Sequence, residues 1–454
     1  MEDITMRKIF QYIMLAVVTI VMASCTSDIE ETTATTGKSN VQLVVGEFPA
    51  FGDSQTRTIG TPDEGKTSWA EGDELLLVID NTSYGKQYAT FTYNGKSWEL
   101  TSDELVYREG DPAYIPHVYY APNYKWEAGK LVLKEGKEPG TDEYIEGNAK
   151  ITGNDETITV SFAEATRKYS RLRIATLPNE QITVDTEYFT PAGSSDMEQN
   201  GNYTLTSDEK GNAYLYGTFE NNSEVTVKYR EAALTTYTFS QATESAKSYA
   251  LDATVISANS AEEIKSAIEQ KVADGKTTIR LNLAPNAGTD EFMAIREAIK
   301  GAAPNDLGTI ELTIIGVETI PEEAFYKMLQ LKSVRMSDVK EIKKYAFKEC
   351  QYLTVVEAPS LNKLYSGAFT KCDQLSKLTF GPINYADARN WPIFENITPN
   401  IDLILSDYQK EMIETDDNLY TANNDIDYAG SDEHNSKKFL GREFKSITCR
   451  YRVE

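Results

Sequence analysis

The sequence of 454 residues is poor in the side chains on which most enzymes depend. It has only two histidines, His117 and His434, and only four cysteines, none of which belongs to a Cys-x-x-Cys pair. Histidine is the commonest metal ligand and general base, and paired cysteines make zinc and redox motifs. The composition therefore predicts no metal site, no cofactor and no enzymatic activity.

Positive charge and long apolar runs are scarce as well. The 45 lysines and arginines are outnumbered by 70 aspartates and glutamates, and the net charge of −25 argues against a nucleic-acid partner. The apolar run Ile9 to Ala23 has 15 residues, whereas a membrane-spanning helix needs roughly 20. Because Arg7 and Lys8 precede this run, residues 1–24 are predicted to be an export signal.

The end of the signal carries the most specific motif. Ala23-Ser24-Cys25 resembles the lipobox of bacterial lipoproteins, which implies cleavage before Cys25 and acylation of its sulfur. Acyl chains on Cys25 anchor a protein stably, since each buried CH₂ contributes about 0.8 kcal/mol. The acidic stretch Thr26 to Glu31 resembles an export tag for the cell surface, so we expect a lipid-anchored, surface-exposed outer-membrane protein. The alternative is a plain secretory signal with a chance cysteine.

The chain after Cys25 divides into a β-rich half and a repetitive half. Residues 25–40 lack apolar periodicity and are predicted to be a tether. Short apolar runs separated by turn residues, such as the hairpin signal Asn94-Gly95, then predict two antiparallel β-sandwiches at residues 41–148 and 149–256. A capping box at Ser260 to Glu263 opens the first of two amphipathic helices, which predict a helical cap at residues 257–310.

A 22-residue repeat follows the helical cap, at residues 311–384. Eight positions recur in one register, and the clearest is Phe325, Phe347 and Phe369. This period predicts about three full copies of a leucine-rich repeat in a short solenoid, with a C-terminal cap at residues 385–454. The motif Ala-Phe-x-x-Cys-x-x-Leu resembles the BspA-like class of these repeats. The overall fold class is thus multidomain and mainly β.

The repeat also explains the spacing of Cys350 and Cys372, which occupy the same position in consecutive copies. We predict that both are buried thiols that pack as small apolar side chains. The first copy has Met328 there, which a packing role tolerates. An activated nucleophile and a disulfide between the two coils are the alternatives.

The β-rich half resembles fimbrillin-like (Mfa-like) proteins of the type V pilus family. The resemblance is carried by Thr56-Arg57-Thr58, Thr67 to Asp73, Val118 to Pro122, Ser170 to Ile174 and Ala246 to Leu251. It implies two transthyretin-like sandwiches displayed by an outer-membrane lipoprotein, cleavage after Arg57 by an arginine-specific protease, and pairing with pilin subunits by strand addition. An arginine in an ordinary loop is the alternative. The appended repeats favour a tip or accessory position over a stalk subunit.

Two columns of side chains are predicted to point outward from the repeat strands. One contains Arg335, Glu357 and Thr379, and the other contains Ser333, Val355 and Lys377. Since neighbouring strands lie about 4.8 Å apart, the columns form a continuous face for a protein or glycan ligand on another cell or in the matrix. A plain solvated face is the alternative.

Three functions remain open at this point. The first is a non-enzymatic adhesin whose repeats bind a host, bacterial or matrix partner. The second is a structural pilus accessory or anchor subunit. The third is a glycan-capture lipoprotein or an enzyme, which needs carboxylates clustered in a cleft.

Overall fold

The computed structural model describes residues 40–53, 66–81, 84–107, 114–153, 156–162, 165, 167–230, 232–258, 260–387, 393–397, 400–406, 438–440 and 442–451. The export signal, Cys25, most of the tether, Arg57 and His434 lie outside these residues. The side chain of Cys449 is not described either. Within the described part the protein is mainly β, as expected, with two helices.

The first β unit spans residues 40–162 and has one core between two sheets. Its sheets follow the orders β5-β4-β3-β6-β9 and β1-β11-β10, and buried side chains from both fill the core. The strands in this range are β1 Val41–Val45, β2 Gly52–Asp53, β3 Glu74–Asn81, β4 Gly85–Tyr93, β5 Trp98–Leu100, β6 Tyr114–Tyr120, β7 Tyr124–Glu127, β8 Lys130–Leu133, β9 Ile145–Asn148, β10 Lys150–Gly153 and β11 Ile158–Phe162.

Two expectations for this unit are wrong. The boundary expected between residues 148 and 149 is misplaced, because β10 and β11 complete the first core rather than begin the second. The hairpin at Asn94 has a four-residue loop instead of a two-residue turn, since Tyr93 pairs with Trp98. The Asn94 side chain accepts hydrogen bonds from the backbone N–H groups of Lys96 and Ser97, at 2.9 and 2.8 Å, which stabilises the wider loop.

The second β unit, residues 165–252, is one sheet of order β17-β16-β13-β15-β12-β18-β2, with β14 paired to β13. The long strand β13 pairs with β16 through its first half and with β15 through its second, and Tyr188 between them has φ +49°. Its remaining strands are β12 Ser170–Ala175, β13 Gln181–Pro191, β14 Glu198–Thr206, β15 Asn212–Phe219, β16 Glu224–Tyr229, β17 Ala232–Thr238 and β18 Lys247–Asp252.

Purely antiparallel pairing, as expected for both units, is also wrong. β1 pairs with β11, β12 with β18 and β18 with β2 in parallel. The short segment between β1 and β2 crosses from the first unit to the second. Strand β1 therefore pairs at the edge of a sheet of the first unit, and β2 pairs at the edge of the sheet of the second unit. Short-range turns cannot make such pairs, and for this reason the local sequence pattern did not reveal them.

A buried ion pair lies where this crossing segment meets both units. The Arg167 guanidinium donates to both carboxylate oxygens of Glu143, at 3.0 and 3.1 Å, and a third Arg167 nitrogen donates to the carbonyl of Pro49. The guanidinium also lies 4.0 Å from the ring centroid of Phe51, and Tyr169 donates to Glu143 at 2.8 Å. Because the pair is almost fully buried, these contacts are needed to offset its lost hydration.

The repeat region, residues 256–451, is built on two parallel sheets. The long sheet has the order β19-β20-β21-β23-β25-β27-β29-β32, and the short sheet has the order β22-β24-β26-β28. The strands are β19 Ile256–Ala258, β20 Thr278–Leu283, β21 Ile310–Ile315, β22 Thr319–Ile320, β23 Leu331–Met336, β24 Glu341–Ile342, β25 Val355–Ala358, β26 Lys363–Tyr365, β27 Lys377–Phe380, β28 Tyr385–Asp387, β29 Asp402–Ser406, β30 Lys438–Phe439, β31 Arg442–Glu443 and β32 Ser446–Tyr451.

Two helices precede the first repeats and lie against the long sheet. Helix α1, Ala261–Ala273, begins at Ser260, whose hydroxyl accepts from the backbone N–H of Glu263 at 3.3 Å. Helix α2, Thr289–Ala302, buries Phe292, Ile295 and Ile299. Both helices therefore present the predicted apolar stripe to the core of the repeat region.

The 22-residue register appears directly in the strand pairing. Ser333 lies opposite Val355, and Val355 lies opposite Lys377. Further along the sheet, Lys377 pairs with Asp402. This coil therefore has three residues more than the 22-residue period. The sheet therefore continues through segments that were expected to be only caps.

A ladder of phenylalanine rings fills the interior of the coils. The rings of Phe325 and Phe347 have centroids 5.0 Å apart, and those of Phe347 and Phe369 lie 5.4 Å apart with an interplanar angle of 6°. Phe292 of α2 and Phe394 extend the ladder at its two ends. Each coil is thus covered by its neighbours. A single repeat is too small to form a core of its own, so it needs this contact to be stable.

Phe347→Ala should lower the free energy of unfolding of the repeat region by about 3–5 kcal/mol, because it opens a cavity between two stacked rings. Urea unfolding followed by circular dichroism measures this. Met293→Ala is the control, since Met293 is 45% exposed on α2 and its loss should cost at most about 0.5 kcal/mol. Equal stability of the two variants would contradict the role of the ladder.

Candidate functional site

The predicted outward columns lie on the outer face of the long parallel sheet. The pairing Thr313–Arg335–Glu357–Thr379–Ile404 forms one column, and Glu311–Ser333–Val355–Lys377–Asp402 forms the other. The alternate residues of the same strands, such as Val334 and Val356, are fully buried. The two columns are therefore longer than the six residues that the sequence predicted.

Ion pairs connect neighbouring strands, one within a column and one between the two columns. Glu357 accepts from Arg335 at 2.9 Å and lies 3.4 Å from the Lys377 ammonium group. The three side chains remain 28–44% exposed. One carboxylate between two cations leaves a small excess of positive charge on a half-exposed face, and water can still reach both cations.

The second β unit turns this face into a groove. The backbone and side chains of Ala232 and Ala233 form one wall, and the sheet forms the floor. The floor includes Arg335, Glu357 and Lys377, and the groove encloses about 350 Å³. Thr379 and Ile404 lie toward its far end.

The other end of the columns is covered by the second β unit. Arg280 and Thr313 are buried, and the Arg280 guanidinium donates to the carbonyl of Leu234 and lies 3.8 Å from Asp252. Burial lowers the pKa of Arg280, while Asp252 opposes that shift. Ile315 of β21 packs inside the core of the second β unit. The sheet around Arg280 and Thr313 is thus an internal contact, and Arg335, Glu357 and Lys377 on the later strands are more exposed.

Ser333 differs from the sequence expectation. Its side chain was predicted to point outward into solvent, but the residue is only 8% exposed. It lies on β23, close to the covered end of the sheet, between Glu311 and Val355. Ser333 and Val355 are not among the residues that line the groove. Of the six predicted residues, the groove itself is lined by Arg335, Glu357, Lys377 and Thr379.

Cys350 and Cys372 lie inside the coils, as free and fully buried thiols. The Cys350 thiol donates to the carbonyl of Phe325 at 2.9 Å, and the Cys372 thiol donates to that of Phe347 at 3.1 Å. Burial raises the pKa of Cys350 to about 12 and that of Cys372 well above its usual value. A nucleophilic cysteine requires the opposite shift and access to solvent.

Two predicted modification sites cannot be placed. Cys25 and Arg57 both lie outside the described residues. Among the residues that are described, no group of three His, Cys, Asp or Glu side chains is arranged to hold a metal ion. No helix in that same part of the chain is long and apolar enough to span a membrane.

Sequence reasoning missed the wall of the groove. Ala232 and Ala233 belong to the second β unit, and neither carries a chemical signal. Their role depends on how the two units pack, which no local pattern encodes. Ile404 was missed because three extra residues separate β27 from β29 and shift it out of the 22-residue register.

The comparison with protein families identifies the repeats. The model of the BspA type leucine rich repeat region matches residues 307–412 with six copies. This confirms the predicted repeat class. No curated protein matches the chain.

Two solved structures share a distant likeness with the chain. A candidate cell adhesion protein from Bacteroides fragilis is 11% identical, with a TM-score of 0.28, and the alignment covers 48% of this chain and 93% of that one. A minor pilin from Streptococcus agalactiae is 10% identical, with a TM-score of 0.17, and covers 47% and 94%. Neither likeness is close enough to transfer a function.

A bulky maleimide should label Cys350 and Cys372 slowly while the protein is folded, because both thiols are buried and protonated at neutral pH. A Cys25→Ser, Cys449→Ser background removes the other two cysteines, and mass spectrometry counts the labels. Complete labelling in urea is the control. Rapid labelling of the folded protein would show that the coil interior is open to reagents.

Proposed function

We propose that this protein is a non-enzymatic adhesin of the cell surface, anchored to the outer membrane by lipid on Cys25. We infer that its two β units are variants of the transthyretin-like sandwiches of the fimbrillin type, in which parallel pairs join the sheet edges and the second unit forms one continuous sheet. Its repeats form a short solenoid that contacts the partner. The observation that carries the proposal is the groove at Arg335, Glu357 and Lys377, where half-exposed charged side chains lie beside a wall from another unit. The partner is a protein or a glycan on another cell or in the matrix.

The chemistry of the groove favours recognition over catalysis. The one carboxylate among its lining residues, Glu357, is held in ion pairs with Arg335 and Lys377. The thiols are enclosed in the coils. Exposed, paired charges instead suit a protein contact, in which they fix register and orientation.

Reversing both cations of the groove, as Arg335→Glu with Lys377→Glu, should weaken adhesion by about tenfold or more. The measurement is binding of the full chain carrying Cys25→Ser to immobilised matrix proteins, to intact cells and to a glycan array. Lys86→Glu with Lys210→Glu is the matched control, because both lysines are exposed on the β units and far from the groove in sequence. Unchanged binding of the first variant, or no binding of the unmodified chain to any surface, would refute the adhesin proposal.

A structural pilus subunit is the second candidate function, and β1 favours it. This strand is at a sheet edge and pairs with β11, yet Val41 and Leu43 are buried in the core of the first β unit. Removing β1 would expose both the edge of β11 and the apolar side chains beneath. A strand from another subunit could then replace it.

Arg57→Ala tests this candidate together with the lipid anchor. We expect protein shaved from intact cells to begin at Thr58 if the strand is removed, and at acylated Cys25 in the Arg57→Ala variant. N-terminal sequencing, mass spectrometry and isolation of surface fibres report the outcome, with Arg108→Ala as a control arginine in the same unit. If Arg57→Ala leaves processing and fibre incorporation unchanged, the pilus function is eliminated and the adhesin proposal stands.

A further inference from the structure

A second outward surface of the repeats lies on the short sheet, away from the groove. We call it the lysine–tyrosine face and define it by Lys343, Lys344, Lys348, Lys363, Tyr345, Tyr365 and Tyr385. The short sheet places Glu341, Lys363 and Tyr385 in one column, on three successive coils. The remaining residues belong to the same strands or to the turns that follow them.

Aromatic rings and ammonium groups alternate on this face. The Lys343 ammonium lies 4.6 Å from the ring centroid of Tyr365, and that of Lys348 lies 4.7 Å from the ring of Tyr345. The rings of Tyr365 and Tyr385 have centroids 5.4 Å apart, and Tyr385 is 39% exposed. The face therefore combines flat apolar surfaces with cations held at fixed positions.

Among the described residues, three lysines of the face lie outside any ion pair, although Glu341 also attracts Lys363. Lys343 is paired with Glu341 at 2.8 Å, and Tyr365 donates to the same carboxylate at 2.6 Å. Lys344, Lys348 and Lys363, by contrast, form no ion pair with any residue that the structure describes. This local surplus of positive charge occurs in a chain whose net charge is −25. The acidic residues elsewhere in the chain have only a weak effect on this face, because salt screens charges beyond about 10 Å at 0.1 M.

A polar groove adjoins the face at its N-terminal side. It encloses about 620 Å³ between the second β unit and the repeats, and Arg230, Thr319, Asp338 and Lys340 contribute to its lining. Asp338 accepts from the backbone N–H of Gly316 at 2.8 Å, and Lys340 is paired with Glu318. Thr319 is the first residue of β22, so the groove and the short sheet are continuous. The charged residues of its lining are two cations, Arg230 and Lys340, and two carboxylates, Glu318 and Asp338.

We propose that the lysine–tyrosine face binds an anionic polysaccharide. Sugar rings would lie against the tyrosines, and their carboxylate or sulfate groups would contact Lys344, Lys348 and Lys363. The chain would run along the short sheet toward the groove at Arg230. An acidic peptide would use the lysines but would leave the tyrosine rings without a matching surface, so the combination favours a sugar polymer. This surface is separate from the one in the adhesin proposal.

The test uses the full chain carrying Cys25→Ser and immobilised dextran sulfate, alginate, neutral dextran and poly-glutamate, at about 0.1 M salt. Dextran sulfate supplies sulfate alone and alginate supplies carboxylate alone, so the two arms identify the anionic group. We expect binding to at least one of these two and none to dextran. Lys344→Gln with Lys348→Gln and Lys363→Gln should weaken that binding by about tenfold or more. Tyr385→Ala should weaken it without changing binding to poly-glutamate.

The matched control is Lys86→Gln with Lys96→Gln and Lys210→Gln, which changes the net charge equally at exposed sites of the β units. The proposal is overturned if neither anionic polysaccharide binds, if dextran binds as well, or if the control triple loses as much affinity. Poly-glutamate binding that matches the polysaccharides and ignores Tyr385→Ala would assign the face to an acidic peptide instead. Arg335→Glu with Lys377→Glu should leave polysaccharide binding intact, so failure here and failure of the adhesin proposal remain distinguishable.

Discussion

The fold of the C-terminal half depends on the stacking of each coil on the next. The main chain of one coil pairs with its neighbour on the long sheet, on the short sheet and also in the turns, where Phe325 donates to Ala346 and Phe347 donates to Ala368. The phenylalanine ladder fills the space inside these three lines of hydrogen bonds. A single coil has neither a closed core nor satisfied backbone groups, so the region is stable only as an assembly of coils.

The ends of the stack are closed by other parts of the chain. Helix α2 covers the first phenylalanine with Phe292, and Phe394 continues the series at the other end. The second β unit closes the outer face near β20 and β21, through Arg280, Leu234 and Ile315. These contacts determine which part of the long sheet is left for a partner. The groove is a consequence of how two units meet and does not belong to either alone.

Part of this arrangement could be predicted from the sequence. The 22-residue spacing of Phe325, Phe347 and Phe369 was sufficient to place the repeats, to assign Cys350 and Cys372 to the interior and to align Arg335 with Glu357. Periodic packing repeats the same physical demand at each coil, which makes it visible in one sequence. The burial of Ser333 was not visible in the same way, because the residue that covers a position can come from anywhere in the chain.

Other features could not have been found locally. Parallel pairs such as β1 with β11 join residues more than a hundred positions apart, and nothing in either segment indicates the other. The same limit applies to the first domain boundary and to Ala232 and Ala233. The lysine–tyrosine face was also missed, since only positions on the long-sheet strands were predicted to form a binding face.

The thiol-to-carbonyl hydrogen bonds have a consequence for oxidation of the two cysteines. Each sulfur is fixed toward the preceding coil at about 3 Å from an oxygen, so the two thiols are tied to backbone groups instead of to one another. Oxidants that reach the finished protein find no accessible sulfur there. The two thiols are therefore vulnerable only before the coils close, when a cross-link could trap the chain.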